Sequence, residues 1–224
     1  MLSKCIVTYG NYARRGDVSY HDLAMRQRQS LKEEDCDHRL FTDKDKLPKH
    51  TDNPYAFKAH AIEYARSEGF DLVLWCDSPL VRIKPLDRLW KHIEDKGYIF
   101  FDNDGYNNGQ WSTDRMLDYF GYDREEAQNM RHLMACCFGL NFNNPIANQF
   151  QEFYFQAAEK KIKGVPLFKE DWKVSRHDQT AASFICHILD IELTVPHETF
   201  FTYDNPEHRK AYGPIKDSVC LVSR

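Results

Sequence analysis

The chain has 224 residues, 42% of them hydrophobic, with 30 Lys and Arg against 34 Asp and Glu and a formal net charge of -4. That length holds one sizeable α/β core and no Pro-, Ser- or Gly-rich stretch divides it, so residues 1–224 are expected to form a single domain. The mild acidity excludes a general polyanion-binding surface, so bulk nucleic-acid binding is not expected, and no uncharged run is long enough to span a bilayer.

Seven cysteines, Cys5, Cys36, Cys76, Cys136, Cys137, Cys186 and Cys220, include no C-x-x-C pair. They read as buried thiols of a reducing compartment. The apolar stretch within residues 1–7 is too short for a signal peptide, and together these features predict a soluble, cytoplasmic protein.

In chain order, Lys4–Tyr9 reads as a first strand, residues 17–34 as an amphipathic helix and 39–42 as a second strand. A helix follows, with Asn53 as its cap, Pro54 in its first turn, an apolar face of Phe57, Ala61, Ile62 and Ala65, and Gly69 as its stop. The unbroken apolar run Leu72–Cys76 lacks alternation, as a strand buried on both faces does. Residues 86–94 are predicted helical, 98–101 a strand and 102–113 a polar loop. A strand over 135–142, helices over 145–160 and 176–189, and a closing strand over 191–195 complete the pattern. Strands alternating with helices call for a mainly parallel sheet covered by helices.

In such sheets ligands bind beyond the carboxyl ends of the strands. Four polar segments occupy such places: Thr8-Tyr9-Gly10-Asn11, Asp77-Ser78-Pro79, Asp102-Asn103-Asp104 and the helix opening Arg176-His177-Asp178-Gln179. Each also has a plain structural reading. Asp77-Ser78-Pro79 and Asp102-Asn103-Asp104-Gly105 are built of turn residues, and Asp178 suits a helix cap. Gly139 marks either a bulge or the close approach of a ligand, and Trp111 either packs or stacks on a sugar.

The frame over residues 71–90, in which Leu72–Cys76 ends in Asp77-Ser78-Pro79 and is followed by Leu80-Val81, Pro85 and a helix, resembles the D-x-D region of GT-A-fold nucleotide-sugar glycosyltransferases. Ser175 to Ala182 resembles the Asp-Gln helix start of several families with that fold. The resemblance implies a GT-A-like, Rossmann-like α/β fold with a mostly parallel central sheet and helices on both faces. It also implies transfer of a sugar from a nucleotide-sugar donor, a UDP-sugar first of all, to a hydroxyl acceptor.

On that resemblance Asp77 touches the ribose and any metal, Asp178 binds donor-sugar hydroxyls and Gln179 approaches the anomeric carbon. The Asp178-Gln179 pair leans towards retention. Thr8, Tyr9 and Asn11 would meet base and ribose, with Lys58, Ser78 and His177 on the donor as well, and Asp102 or Asp104 would face the donor sugar. Mn2+ or Mg2+ is the implied cofactor, with Asp77 and a late histidine, His197, as ligands. Pro79, however, stands where the second carboxylate of the motif belongs. Two rival readings remain at this point. One is a non-catalytic nucleotide-sugar-binding or interaction domain of the same fold. The other is a sugar nucleotidyltransferase, disfavoured because residues 4–15 carry only Gly10 where a glycine-rich phosphate loop would lie.

Overall fold

The computed structural model describes residues 2–196 and 199–223. From the N-terminal side, β1 (Lys4–Tyr9) leads through β2 (Arg14–Arg15) and β3 (Val18–Ser19) into α1 (Tyr20–Ser30). There follow β4 (Asp37–Phe41), α2 (Ala56–Ser67), β5 (Leu72–Cys76), β6 (Leu80–Arg82) and α3 (Asp87–Lys96). The second half runs β7 (Tyr98–Asn107), α4 (Asp114–Phe120), α5 (Arg124–Gln128), β8 (Arg131–Asn141), α6 (Pro145–Glu159), β9 (Lys161–Ile162) and β10 (Val165–Pro166). It ends with α7 (Asp178–Ile188), β11 (Phe200–Tyr203), α8 (Pro206–Tyr212) and β12 (Val219–Ser223).

The main sheet has the order β4-β1-β5-β8-β7. Its β1 runs parallel to both β4 and β5, while β8 runs against β5 and β7, so β7 shares the direction of the first three. The expected mostly parallel sheet is therefore present. Every residue of β5 is buried. Val73 and Trp75 face α2, α6 and α7, whereas Leu72, Leu74 and Cys76 face α3 and the small sheet β11-β12-β6. Burial of each such side chain contributes roughly 1.5–3 kcal/mol, which explains why a run without alternation forms the centre of the sheet.

Three local expectations are corrected. Asn53 does not cap α2: its amide donates to the Ala158 carbonyl of α6 at 2.7 Å, and the helix begins after Tyr55, whose φ is 63°. The segment 102–113 is not all loop, because β7 continues to Asn107 opposite Arg131. Residues beyond Asp102 in β7 lie at the sheet edge and are largely exposed, so no apolar alternation marks them. The closing strand over 191–195 is reduced to one parallel bridge between Thr194 and Phe101, with Val195 turned out to solvent. No helix among the described residues is long and apolar enough to cross a membrane.

Candidate functional site

The first turn of α2 is buried throughout, and Lys58 points inward with Ala56, Phe57 and Ala59. Its side chain is 3% exposed. The ammonium donates to the Ala135 carbonyl at 2.9 Å and lies 3.2 Å from Asp77 Oδ1 and 3.1 Å from Asp178 Oδ2. Three donors meet three acceptors, so the cation is fully satisfied. Burial alone would lower its pKa, but Asp178 and then Asp77 overcome that and hold it above the ordinary lysine range.

Both carboxylates are fixed in turn. Asp77 follows β5, its backbone N–H bonded to the Cys136 carbonyl at 2.8 Å, and its Oδ1 accepts from the Trp75 indole at 2.8 Å. Its side chain remains one-third exposed, at 33%. Burial raises the Asp77 pKa, and Lys58 offsets part of that rise. Asp178 opens α7 with its side chain only 4% exposed, and its Oδ2 accepts from the Tyr154 hydroxyl at 3.1 Å. The preceding His177 has φ 52° and ψ -116°, and its ring lies 5.3 Å from that of Tyr55, the other positive-φ residue beside Lys58. Non-glycine residues held there cost about 1–3 kcal/mol each and cluster at functional sites.

Above the ammonium opens a cleft of about 310 Å³ at the carboxyl ends of β1 and β5. One wall is aromatic, with Tyr9 stacked on Phe57 at 4.1 Å between centroids and Tyr55 and Trp75 nearby. The polar side is Asn11, Lys58, Asp77 and Ser78. A shallower hollow of about 450 Å³ lies near the start of β1, around Cys36 and Asp37. It contains none of the candidate residues and sits at the wrong end of the sheet for a ligand of this fold class.

The structure brings Tyr9, Asn11, Lys58, Asp77 and Ser78 to the cleft, with Asp178 just beneath it through Lys58. Thr8 is not among them: it is fully buried, its hydroxyl bonded to Gln27 and 3.3 Å from His38 Nε2. Asp102 is tied to Arg131 and Asp104 is exposed, and neither lines the cleft. The side chain of Gln179 donates to His132 Nδ1 at 3.1 Å and His177 Nδ1 meets the Phe168 carbonyl at 2.8 Å, and neither residue lines the cleft. Trp111 packs under the Arg176 guanidinium at 3.8 Å, and its carbonyl accepts from Thr180 at 2.8 Å. The cleft-lining His50, Tyr55 and Phe57 and the Asp178 partner Tyr154 carry no motif in the sequence and were missed.

Among the described residues, the side chains around Asp77 do not by themselves make a site for a divalent ion. Among the described residues no three His, Cys, Asp or Glu side chains gather as a ligand set. Asp77 is the sole carboxylate lining the cleft among them, its Oδ1 already engaged by Lys58 and Trp75, and Pro79 lines the wall where a second carboxylate would stand. His197, the other proposed ligand, lies outside the described residues.

No protein-family model matches the chain, and no curated protein does either. Solved structures do. A glycosyltransferase involved in the glycosylation of the major capsid of PBCV-1 superposes with a TM-score of 0.58 at 10% identity, over 99% of this chain and 93% of that one. The chain shares its fold with this glycosyltransferase. The apo form of mouse xyloside xylosyltransferase 1 agrees, with a TM-score of 0.54 at 11% identity over 100% of this chain and 98% of that one. At these identities the likeness concerns the fold, and nearly the whole length of each glycosyltransferase takes part in it.

Proposed function

We propose that the protein transfers a sugar from a nucleotide-sugar donor, a UDP-sugar first of all, to a hydroxyl-bearing acceptor. The observation that carries this reading is the Lys58 ammonium, which joins Asp77 and Asp178 beneath an aromatic cleft. Those carboxylates belong to the two sequence segments that separately resemble glycosyltransferase motifs. Their meeting on one cation of a glycosyltransferase fold is support from independent directions.

In this reading the base lies against Tyr9 and Phe57, and Asn11 and Asp77 hold the ribose. A base–aromatic stack contributes about 1–3 kcal/mol. The sugar sits over Lys58, within reach of Asp178 once the site tightens around the donor. Lys58 and Tyr154 hold the Asp178 carboxylate in one pose, which lets it orient sugar hydroxyls without spending binding energy on ordering itself. The backbone strain at His177 fits a helix start whose position is set by function. Retention at the anomeric carbon is the favoured outcome on the resemblance of the Asp178-Gln179 helix start, although the Gln179 amide is bonded to His132.

Thermal denaturation with UDP, GDP and CMP, followed by an assay of nucleotide release from a panel of nucleotide sugars, tests the proposal. Stabilisation by UDP and slow hydrolysis of a UDP-sugar are expected, and no shift with any nucleotide would sink the reading. Asp178→Asn should retain nucleotide binding while turnover falls by about 10²-fold, the scale of losing one transition-state contact. Loss of nucleotide binding in a folded Asp178→Asn protein would contradict the role assigned to it. Binding without any turnover across the donor panel would instead favour a non-catalytic binding domain.

A further inference from the structure

Resting on the donor reading above, we propose that the acceptor is itself a carbohydrate, seated on an exposed aromatic row that adjoins the donor cleft. Tyr106, Trp111, Arg176 and Trp172 follow one another in space. The Tyr106 and Trp111 rings lie 5.9 Å apart, and the Arg176 guanidinium lies 3.8 Å from the centre of the Trp111 ring and 5.9 Å from that of Trp172. The two ends of the row are open to solvent: Trp172 is 60% and Tyr106 48% exposed, whereas Trp75 and Trp90 are buried in the core. Large rings gathered at a surface mark a site of interaction. Thr180 fixes the row, its hydroxyl accepting from the Arg176 N–H at 3.1 Å and donating to the Trp111 carbonyl at 2.8 Å.

Place and chemistry select the occupant. The row starts where β7 ends, and β7 shares the direction of β1 and β5, so this is the same carboxyl edge of the sheet that carries Tyr9 and Asp77. Arg176 precedes His177, whose ring lies 5.3 Å from that of Tyr55 in the cleft wall. A molecule on the row therefore abuts the space assigned to the donor sugar. The polar groups beside the rings are amides. Gln110 Oε1 accepts from the Asn107 N–H and Asn107 Oδ1 from the Gln110 N–H, both at 3.0 Å, which leaves both side-chain NH2 groups without a partner among the described residues. A pyranose has an apolar C–H face that suits the negative face of an aromatic ring, and a rim of hydroxyl oxygens that accept from amides. Four side chains in a row fall far short of the ~800 Å² that each partner buries in a standard protein interface.

The test assays the full chain for nucleotide release from the nucleotide sugar it hydrolyses fastest, with soluble oligosaccharides or with Ser- and Thr-containing peptides as acceptors. Saccharide binding is read separately by saturation-transfer NMR. Oligosaccharides should raise release above hydrolysis, and peptides should not. Trp172→Ala and Tyr106→Ala should each raise the saccharide KM about tenfold while kcat and nucleotide affinity stay within about twofold, and Trp172→Tyr should recover most of the loss. Peptides accepted in place of saccharides, or no saccharide binding, would overturn the inference and leave the donor reading intact, as would a saccharide KM that neither variant changes. A chain that binds no nucleotide yet binds saccharides, more weakly after Trp172→Ala, would overturn the donor reading and reduce the row to a carbohydrate-binding surface.

Discussion

The arrangement around Lys58 depends on a single side chain holding two acidic ones in place. Removing one partner of a buried ion pair costs more than the pair contributes, because the remaining charge keeps its desolvation penalty and loses its partner. Lys58→Met should therefore destabilise the fold by about 3–5 kcal/mol in urea denaturation. Much of the loss comes from Asp178, the more deeply buried carboxylate. A neutral amide at that position removes the uncompensated charge, so Lys58→Met combined with Asp178→Asn should be more stable than Lys58→Met alone by at least ~1 kcal/mol. Strict additivity of the two changes would mean that Lys58 and Asp178 are not coupled. Part of this triad was legible beforehand: Asp77 and Asp178 were found from their flanking frames. Lys58 stood among the donor-side candidates on the resemblance alone; its inward aim carries no signal in the residues, because a lysine on a helix is ordinarily solvated and only the burial of the whole first turn of α2 reverses that.

At the scale of elements, strong periodicity was readable and pairing was not. Strand β5, α6 and α7 fall close to where apolar runs and caps put them, within the usual uncertainty of element ends. The helices α4 and α5 were overlooked although Thr113 and the reciprocal pair Asp123 and Glu126 cap them, because both are short and carry little apolar pattern. Sheet β11-β12-β6 was missed since its strands pair across long separations that no local signal records. Gly139 shows how pairing decides a residue's meaning. Read alone it suggested a bulge or the approach of a sugar. In the sheet it sits in regular register between Leu74 and Ile99, and a Cβ there would lie 2.5 Å from Ile93 Cδ1 of α3. Its role is close packing of α3 on β8. Gly139→Ala should cost about 1–3 kcal/mol by overpacking. Ile93→Val removes the clashing methyl at about 0.5–1.5 kcal/mol, and the double variant should lose clearly less than the sum of the two. A double-mutant cycle closing at zero would place the strain elsewhere.

Across the whole molecule, buried neutral histidine couples the fold to pH. His132, on β8, is fully buried, and its Nδ1 accepts from the Asn103 amide at 3.2 Å and the Gln179 amide at 3.1 Å. Two amide donors require an unprotonated Nδ1, so the ring proton sits on Nε2, which finds no hydrogen-bond partner among the described residues. Burial, with a smaller contribution from Arg176, pushes the imidazole pKa down to about 3. In the unfolded chain it titrates near the ordinary value of about 6.5. Between those two values the unfolded state binds more protons than the native one. The contribution of His132 to stability is thus complete above pH ~6.5 and is lost progressively as the pH falls towards 3. The loss between pH 7 and pH 4 is on the order of 3 kcal/mol. His132→Asn offers the same two amides an oxygen in place of Nδ1 and does not titrate. Measured by urea denaturation from pH 7 to pH 4, the wild type should lose stability more steeply than His132→Asn, even if the variant starts less stable at neutral pH. Carboxylates elsewhere act equally on both proteins, so the difference between the two profiles isolates this group. Parallel profiles would mean that His132 takes up its proton equally in the native and unfolded states over this range. The network that joins β7, β8 and the start of α7 through Asn103, His132 and Gln179 would then need the opposite proton arrangement.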